Sequence, residues 1–344
     1  MDIGIIGPSQ SGKTTVFTAI TGVEPGYEKG KKAIVKVPDE RLDHLKSVFN
    51  PKKQVNTTIT FIDASPPKVT KKGGADQGFL NFIKTVSALL VVLPCFRAGA
   101  KKELDDILDL LLLSDIEFIE RMLEKEKKIK IDPKYKGPSI DLLNKMHKHL
   151  DEGSFLRGIS ITPNEQRSLS GYELYTRMPI FAVLNVSEKQ SNKDILSETQ
   201  EVIEYLNEVG IGYVSLCGSI EMEISQLNEE DKPIFMQEYS IEETASGKVI
   251  QKVFDLLGLQ VFFTAGEDEC RAWTISKGDS AVVSAGKVHT DIAKQFIRAE
   301  VCSYEDFIDC NNSLKEAKNQ GKLRLEGKEY TVKDGDIITF RHNA

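Results

Sequence analysis

Apolar positions along this chain come in short unbroken runs separated by stretches of helical spacing. "DIGIIG" (2–7) is a brief apolar run ending in glycine, and "KTTVFTAITG" (13–22) follows as a helix that stops at Gly22. "TTITFIDAS" (57–65), "SALLVVLPCF" (87–96), "PIFAVLNVS" (179–187) and "GIGYVSLCG" (210–218) continue the series of strands. The second of these is nearly continuous in apolar residues, as a strand covered on both faces requires. Helical segments such as "LSETQEVIEYLNEVG" (196–210) lie between them. This alternation predicts an α/β fold with a doubly wound, mostly parallel sheet.

Two regions break the pattern. From 101 to 177 the chain is charged and helical. "KKELDDILDLLLLSDIEFIERMLEKEKKIKI" carries apolar residues at three- and four-residue steps, and "IDLLNKMHKHLDEG" resumes after a Pro/Lys/Gly loop. This predicts a helical hairpin inserted into the sheet domain, either capping one edge or projecting towards a partner. From about 261 strands return: "LQVFFTAG" and "CRAWTIS" read as strands, "TDIAKQFIRAEV" as a helix, and "KLRLEGKEYTVKDGDIITFR" as three short strands. That grammar predicts a small sheet gripping a helix, a β-grasp. The expected domains are 1–100 and 178–260 for the sheet domain, 101–177 for the insertion and 261–344 for the β-grasp.

Composition narrows the class. With 344 residues, 40% hydrophobic and 28% charged, the chain reads as an ordinary soluble protein of two or three domains. Its apolar runs are far short of the roughly 20 residues that span a bilayer, so no membrane association is expected. The N-terminus lacks the basic segment of a signal peptide. Five scattered cysteines without CxxC spacing suit a reducing, cytoplasmic setting. The net charge of −7 leaves nucleic-acid contact to a local patch.

The chemistry begins at 7–14. Gly7-Pro8-Ser9-Gln10-Ser11-Gly12-Lys13-Thr14 fits G-x-x-x-x-G-K-[ST], placed after a strand and before a helix. Such a loop wraps phosphates in backbone N–H groups, here from Ser9 through Thr15, and the helix adds its N-terminal partial charge. Lys13 is expected at the β- and γ-phosphates and Thr14 at Mg²⁺, so these two are the candidate catalytic residues. Asp63, at the end of its strand, is the second candidate metal ligand; a plain strand-end turn residue is the other reading. In GTPase-like sites this aspartate opens D-x-x-G, whose glycine N–H senses the γ-phosphate. Here the fourth residue is Pro66, which has no N–H to give. The base site falls at Asn185-Val186-Ser187-Glu188, where a guanine-specific site would read N-K-x-D. Glu188 is one methylene longer than aspartate and Val186 cannot cover a ring as lysine does, so strict guanine selection is not expected.

These stretches together resemble the YchF / Obg-like ATPases, P-loop proteins related to translation factors. "VKVPDERLDHL" (35–45), "SDIEFIERMLEK" (114–125) and "TRMPIFAVLNVSE" carry the likeness, and the region from "FFTAGEDECRAWTISKGDSAVVSAGKVHTDIAKQFIRAEV" onwards resembles the family's TGS domain throughout. "CGSIEMEI" (217–224) is similar to the last base-site motif, which implies that Cys217 and Gly218 border the base. The resemblance implies a preference for ATP, with GTP as a second ligand, together with Mg²⁺. It also implies a ribosome or ribosomal RNA partner, met through the TGS domain and the helical insertion. The C-terminal module has 12 Lys/Arg against 14 Asp/Glu, so charge alone does not mark it as an RNA binder. Within "HTDIAKQFIRAEV", His289 and Arg298 read most simply as parts of a structural surface.

Departures from the family pattern accompany the likeness. Gln10 stands where the family has the asparagine that supports potassium activation in related enzymes. "GVEPGYEKGKKAIVKVP" is shorter than the family's stretch after the first helix, and "DASPP" replaces D-I-A-G-L. Two functions follow as alternatives: a slow ATPase acting as a translation-associated factor, or a nucleotide-gated binding module with little or no hydrolysis. A small-molecule kinase would need an acceptor pocket and lid for which no stretch offers a pattern.

Overall fold

The computed structural model describes residues 1–23, 32–64, 76–128, 137–188, 197–228 and 230–343. Two compact units emerge, one of residues 1–33 with 60–248 and the other of 34–59 with 249–344.

The first sheet is built on strands β1 (Asp2–Ile6), β2 (Lys32–Lys36), β4 (Thr58–Asp63), β5 (Ala88–Pro94), β6 (Ile180–Asn185) and β7 (Gly212–Leu216), numbered along the chain. They lie in the order β2-β4-β1-β5-β6-β7, with β4, β1, β5, β6 and β7 paired in parallel. Every residue of β5 and β6 is buried, which explains their unbroken apolar runs. Register brings the carboxyl ends together: Ile5 lies opposite Asp63, and Pro94, Asn185 and Leu216 lie side by side. The chain steps to β4 on one side of β1 and to β5 on the other. This is the switch point at which open α/β sheets bind ligands.

The insertion is more than an edge cap. Ala100, Leu104, Ile107, Leu108 and Leu111, from the first half of the helix Ala100–Lys128, belong to the main core. Further along, Ile119 joins Leu142, Leu143, Met146 and Leu150 of the helix Ile140–Asp151 in a separate small core. Between the two, Asp115 is fully buried and accepts from Tyr175 N (2.9 Å), Thr176 N (2.7 Å) and Thr176 Oγ1 (2.6 Å). Burial pushes its carboxyl pKa up, and the Thr176 and Tyr175 donors only partly oppose this.

The second unit holds β3 (Lys53–Val55), β8 (Leu259–Ala265), β9 (Glu269–Ser276), β10 (Phe296–Ser303), β11 (Arg324–Glu326) and β12 (Asp336–His342), in the order β11-β10-β12-β8-β9-β3. One face packs on the helix Ala281–Val288 through Phe262, Ile275, Ala285 and Val301. The other packs on the helix Glu40–Phe49 through Leu42 and Leu45, beside Phe263, Phe307 and Ile337. Residues 34–59, which the sequence pattern placed in 1–100, thus supply a helix and an edge strand to this unit.

Two expectations for the C-terminal region are corrected. "TDIAKQFIRAEV" is helical only over Thr290–Lys294; from Phe296 it is strand β10, paired antiparallel with both β11 and β12. Ladder bonds on both sides, with Ala299, Val301 and Cys302 buried, outweigh its helical spacing. Only two strands form in "KLRLEGKEYTVKDGDIITFR". The stretch expected to be the middle one makes an isolated bridge at Thr331, while the Tyr330 carbonyl accepts from Ala281 N at 2.8 Å and so satisfies the start of the helix 281–288.

Candidate functional site

The loop 7–12 leaves β1 and enters the helix Lys13–Thr21. Two of its glycines are required by contact. A Cβ on Gly7 would lie 2.6 Å from the Val92 carbonyl oxygen, and one on Gly12 (φ 80°) would lie 2.1 Å from Asn185 Nδ2. Gln10 also takes a positive φ of 61°, without glycine's freedom. No side chain caps the helix, so its first N–H groups face the loop, the arrangement that suits an anion.

Lys13 and Asp63 meet. The Lys13 ammonium pairs with the Asp63 carboxylate and donates to the Ala64 carbonyl, with side chains only 12% and 16% exposed. Thr14 is exposed on the neighbouring position of the helix. Its hydroxyl and the Asp63 carboxylate are hard oxygen donors. One of each fits Mg²⁺, which keeps its remaining positions for phosphate oxygens and water. Among the described residues no cluster of three His, Cys, Asp or Glu stands ready for a metal.

On the other side Asn185 is a clamp. Buried to 6% exposure, it donates from Nδ2 to the Ser11 carbonyl (3.0 Å) and accepts on Oδ1 from Gly218 N (3.0 Å). A single amide thus ties the phosphate loop to the 217–218 turn. Beyond it opens a cleft of about 730 Å³, lined by Gln10, Gly12, Thr15, Phe96, Asn185, Val186, Ser187, Glu188 and Ser219. Ser9 is exposed on the loop, Ser11 is buried, and Cys217 is buried behind the cleft with its Sγ 3.2 Å from Ser219 Oγ.

The expected site residues Ser9 to Thr15, Asp63, Asn185, Val186, Glu188, Cys217 and Gly218 therefore gather at one end of the sheet. Sequence reasoning did not single out Phe96, and it met Ser187 and Ser219 only as parts of the stretches 185–188 and 217–224. Phe96 ends an apolar run and so looked like core, yet it is 39% exposed at the cleft. Pro66 and residues 24–31 of the shortened segment after the first helix lie outside the described residues.

Residues 259–343 match the family described as YchF-GTPase_C, a protein of unknown function (DUF933). Across 364 aligned positions the chain is 36% identical to the ribosome-binding ATPase YchF of Bacillus subtilis (strain 168), covering 99% of each. It is 35% identical over 362 positions to that of Escherichia coli O157:H7, again covering 99% of each. The solved Schizosaccharomyces pombe YchF GTPase shares its fold with a TM-score of 0.86 at 26% identity, over 99% of this chain and 97% of that one. With the phosphate loop, the Asn185 clamp and the C-terminal β-grasp in place, and with relatives matching end to end, the chain belongs to the YchF family.

Proposed function

We propose that the cleft binds ATP with Mg²⁺, that the chain hydrolyses it slowly, and that it acts in the cytoplasm as a ribosome-associated factor. The observation that carries this reading is the Asn185 clamp, which makes the phosphate loop and the base strand two walls of one cleft. In this reading Lys13 meets the β- and γ-phosphates, Thr14 and Asp63 hold Mg²⁺, and the amides of Ser9 to Thr15 surround the phosphates. Asn185, Val186, Glu188, Cys217 and Gly218 border the base. The metal supplies charge neutralisation at the phosphates, while the protein positions them. Val186 is apolar and buried, so no lysine stem covers the ring, and GTP is the weaker ligand.

The ribosome enters through the named activity of the relatives. The module 261–344 and the insertion 101–177 are the proposed contacts, beside the nucleotide-binding parts 1–100 and 178–260. No helix among the described residues is long and apolar enough to cross a membrane.

A second reading, a nucleotide-gated module with little turnover, is favoured by the Lys13 latch. The Lys13 ammonium is paired with Asp63 and the Ala64 carbonyl, so phosphates that drew it away would rearrange the site by binding alone. Multiple-turnover phosphate release with and without ribosomes separates the two. Slow release quickened by ribosomes supports the ATPase, and none under either condition supports the gated module.

A further inference from the structure

Glu188 is the only charged side chain among the described residues lining the cleft, so it dominates the reading of whatever base enters. Its two neighbours on the same strand end offer a base less. Asn185 uses Nδ2 on Ser11 and Oδ1 on Gly218, and Val186 offers no polar side chain. Glu188 is itself not free. Ser219, the second residue of the helix Gly218–Gln226, donates its hydroxyl to Glu188 Oε1 at 3.4 Å. A carboxylate only accepts, so the polarity of that contact is fixed. The Cys217 thiol, 3.2 Å from Ser219 Oγ, can donate in turn to the serine oxygen, giving a chain that runs Cys217 to Ser219 to Glu188.

We infer that Ser219 is a base-selecting residue, acting through Glu188, that disfavours guanine relative to adenine. This rests on the nucleotide reading of the cleft. Guanine presents N1–H and N2–H₂ side by side and draws on both oxygens of a carboxylate. Adenine presents one exocyclic amine and needs one oxygen. An oxygen that already accepts a hydroxyl proton is the poorer second acceptor, so Ser219 weakens Oε1 and leaves Oε2 for a single donor. Guanine loses more by this than adenine does. Ser219 thereby adds to the missing lysine at 186 a second, independent bias.

The test is isothermal titration of the full chain with Mg-ATP and Mg-GTP, for the unmodified protein, Ser219→Ala and Ser219→Thr. Ser219→Ala should shift the ATP-to-GTP affinity ratio towards GTP by about threefold or more, the worth of a weak net hydrogen bond. Ser219→Thr keeps the hydroxyl and should keep the ratio, which a merely structural role for the helix start would not require. Ser219→Gly also removes the hydroxyl, should shift the ratio the same way as Ser219→Ala, and serves if Ser219→Ala does not fold. An unmodified protein that prefers ATP, with an unchanged ratio in Ser219→Ala or, in its place, Ser219→Gly, overturns this inference. No nucleotide binding by the unmodified protein overturns the nucleotide reading instead.

Discussion

The two parts of the candidate site are held by different physics. At the phosphate end an ion pair, Lys13 to Asp63, lies mostly out of water and occupies the cation that phosphate would need. At the base end the neutral amide of Asn185 fixes two backbone groups and leaves the cleft open beside it. A ligand's phosphates must displace a partner, whereas its base enters a space already formed. Under the proposed nucleotide reading, the comparison teaches that affinity turns chiefly on exchanging one charge pair for another at the first part, and selectivity on a few neutral groups and one carboxylate at the second.

Breaking the phosphate end should have the largest effect. Lys13→Ala removes charge-assisted hydrogen bonds to phosphate and should weaken ATP binding on the order of a hundredfold. The fold should persist with some loss of stability, because Asp63, only 16% exposed, is left without its partner. Titration calorimetry with a circular dichroism control measures both.

Asn185→Ala attacks the other end. It strands the buried Gly218 N–H and Ser11 carbonyl, and should lower stability by about 1–3 kcal/mol in denaturant unfolding. ATP affinity should fall with it, since the two walls are no longer tied. A variant as stable as the parent would show that the clamp is incidental.

Asp63→Asn sharpens the comparison because its effect has two signs. Without Mg²⁺ it frees Lys13 and removes a negative charge beside the phosphates, so ATP should bind up to about tenfold more tightly than to the unmodified chain. The further gain on adding Mg²⁺ should shrink. Weaker metal-free binding would mean that the latch does not compete with phosphate.

The smallest effect is on pH dependence. Burial raises the carboxyl pKa of Asp115, Glu221 and Asp336. A carboxyl whose pKa is raised by folding stabilises the fold fully when protonated, below the ordinary carboxylate range. That contribution is lost as pH rises through the raised value. Glu221 accepts from Ala245 N at 2.7 Å, a bond that glutamine can keep. Glu221→Gln should therefore flatten the fall in stability as pH rises above the ordinary carboxylate range. Unfolding curves across that range give the answer.

What the sequence disclosed follows the same division. The phosphate loop was legible because its chemistry is local: eight contiguous residues, 7–14, and a helix start specify it. The central strands were legible because burial on both faces leaves an unbroken apolar run in β5 and β6. Strand β10 was not, because the ladders that hold it come from β11 and β12, 324–326 and 336–342, beyond any local window. Leu42 and Leu45 find their partners at Phe263, Phe307 and Ile337, so the membership of 34–59 was equally hidden. Ser219 escaped because its meaning lies in Glu188, on another strand end. Asp115 looked like one more charge on a solvated helix until Tyr175 and Thr176 were seen to enclose it.

The central claim is that one clamped cleft takes an adenine nucleotide by its two unlike ends. Direct titration of the unmodified chain with Mg-ATP and Mg-GTP tests it. The account predicts saturable binding of one ATP per chain, tighter than GTP. A clear preference for GTP, or no binding of either, would contradict it.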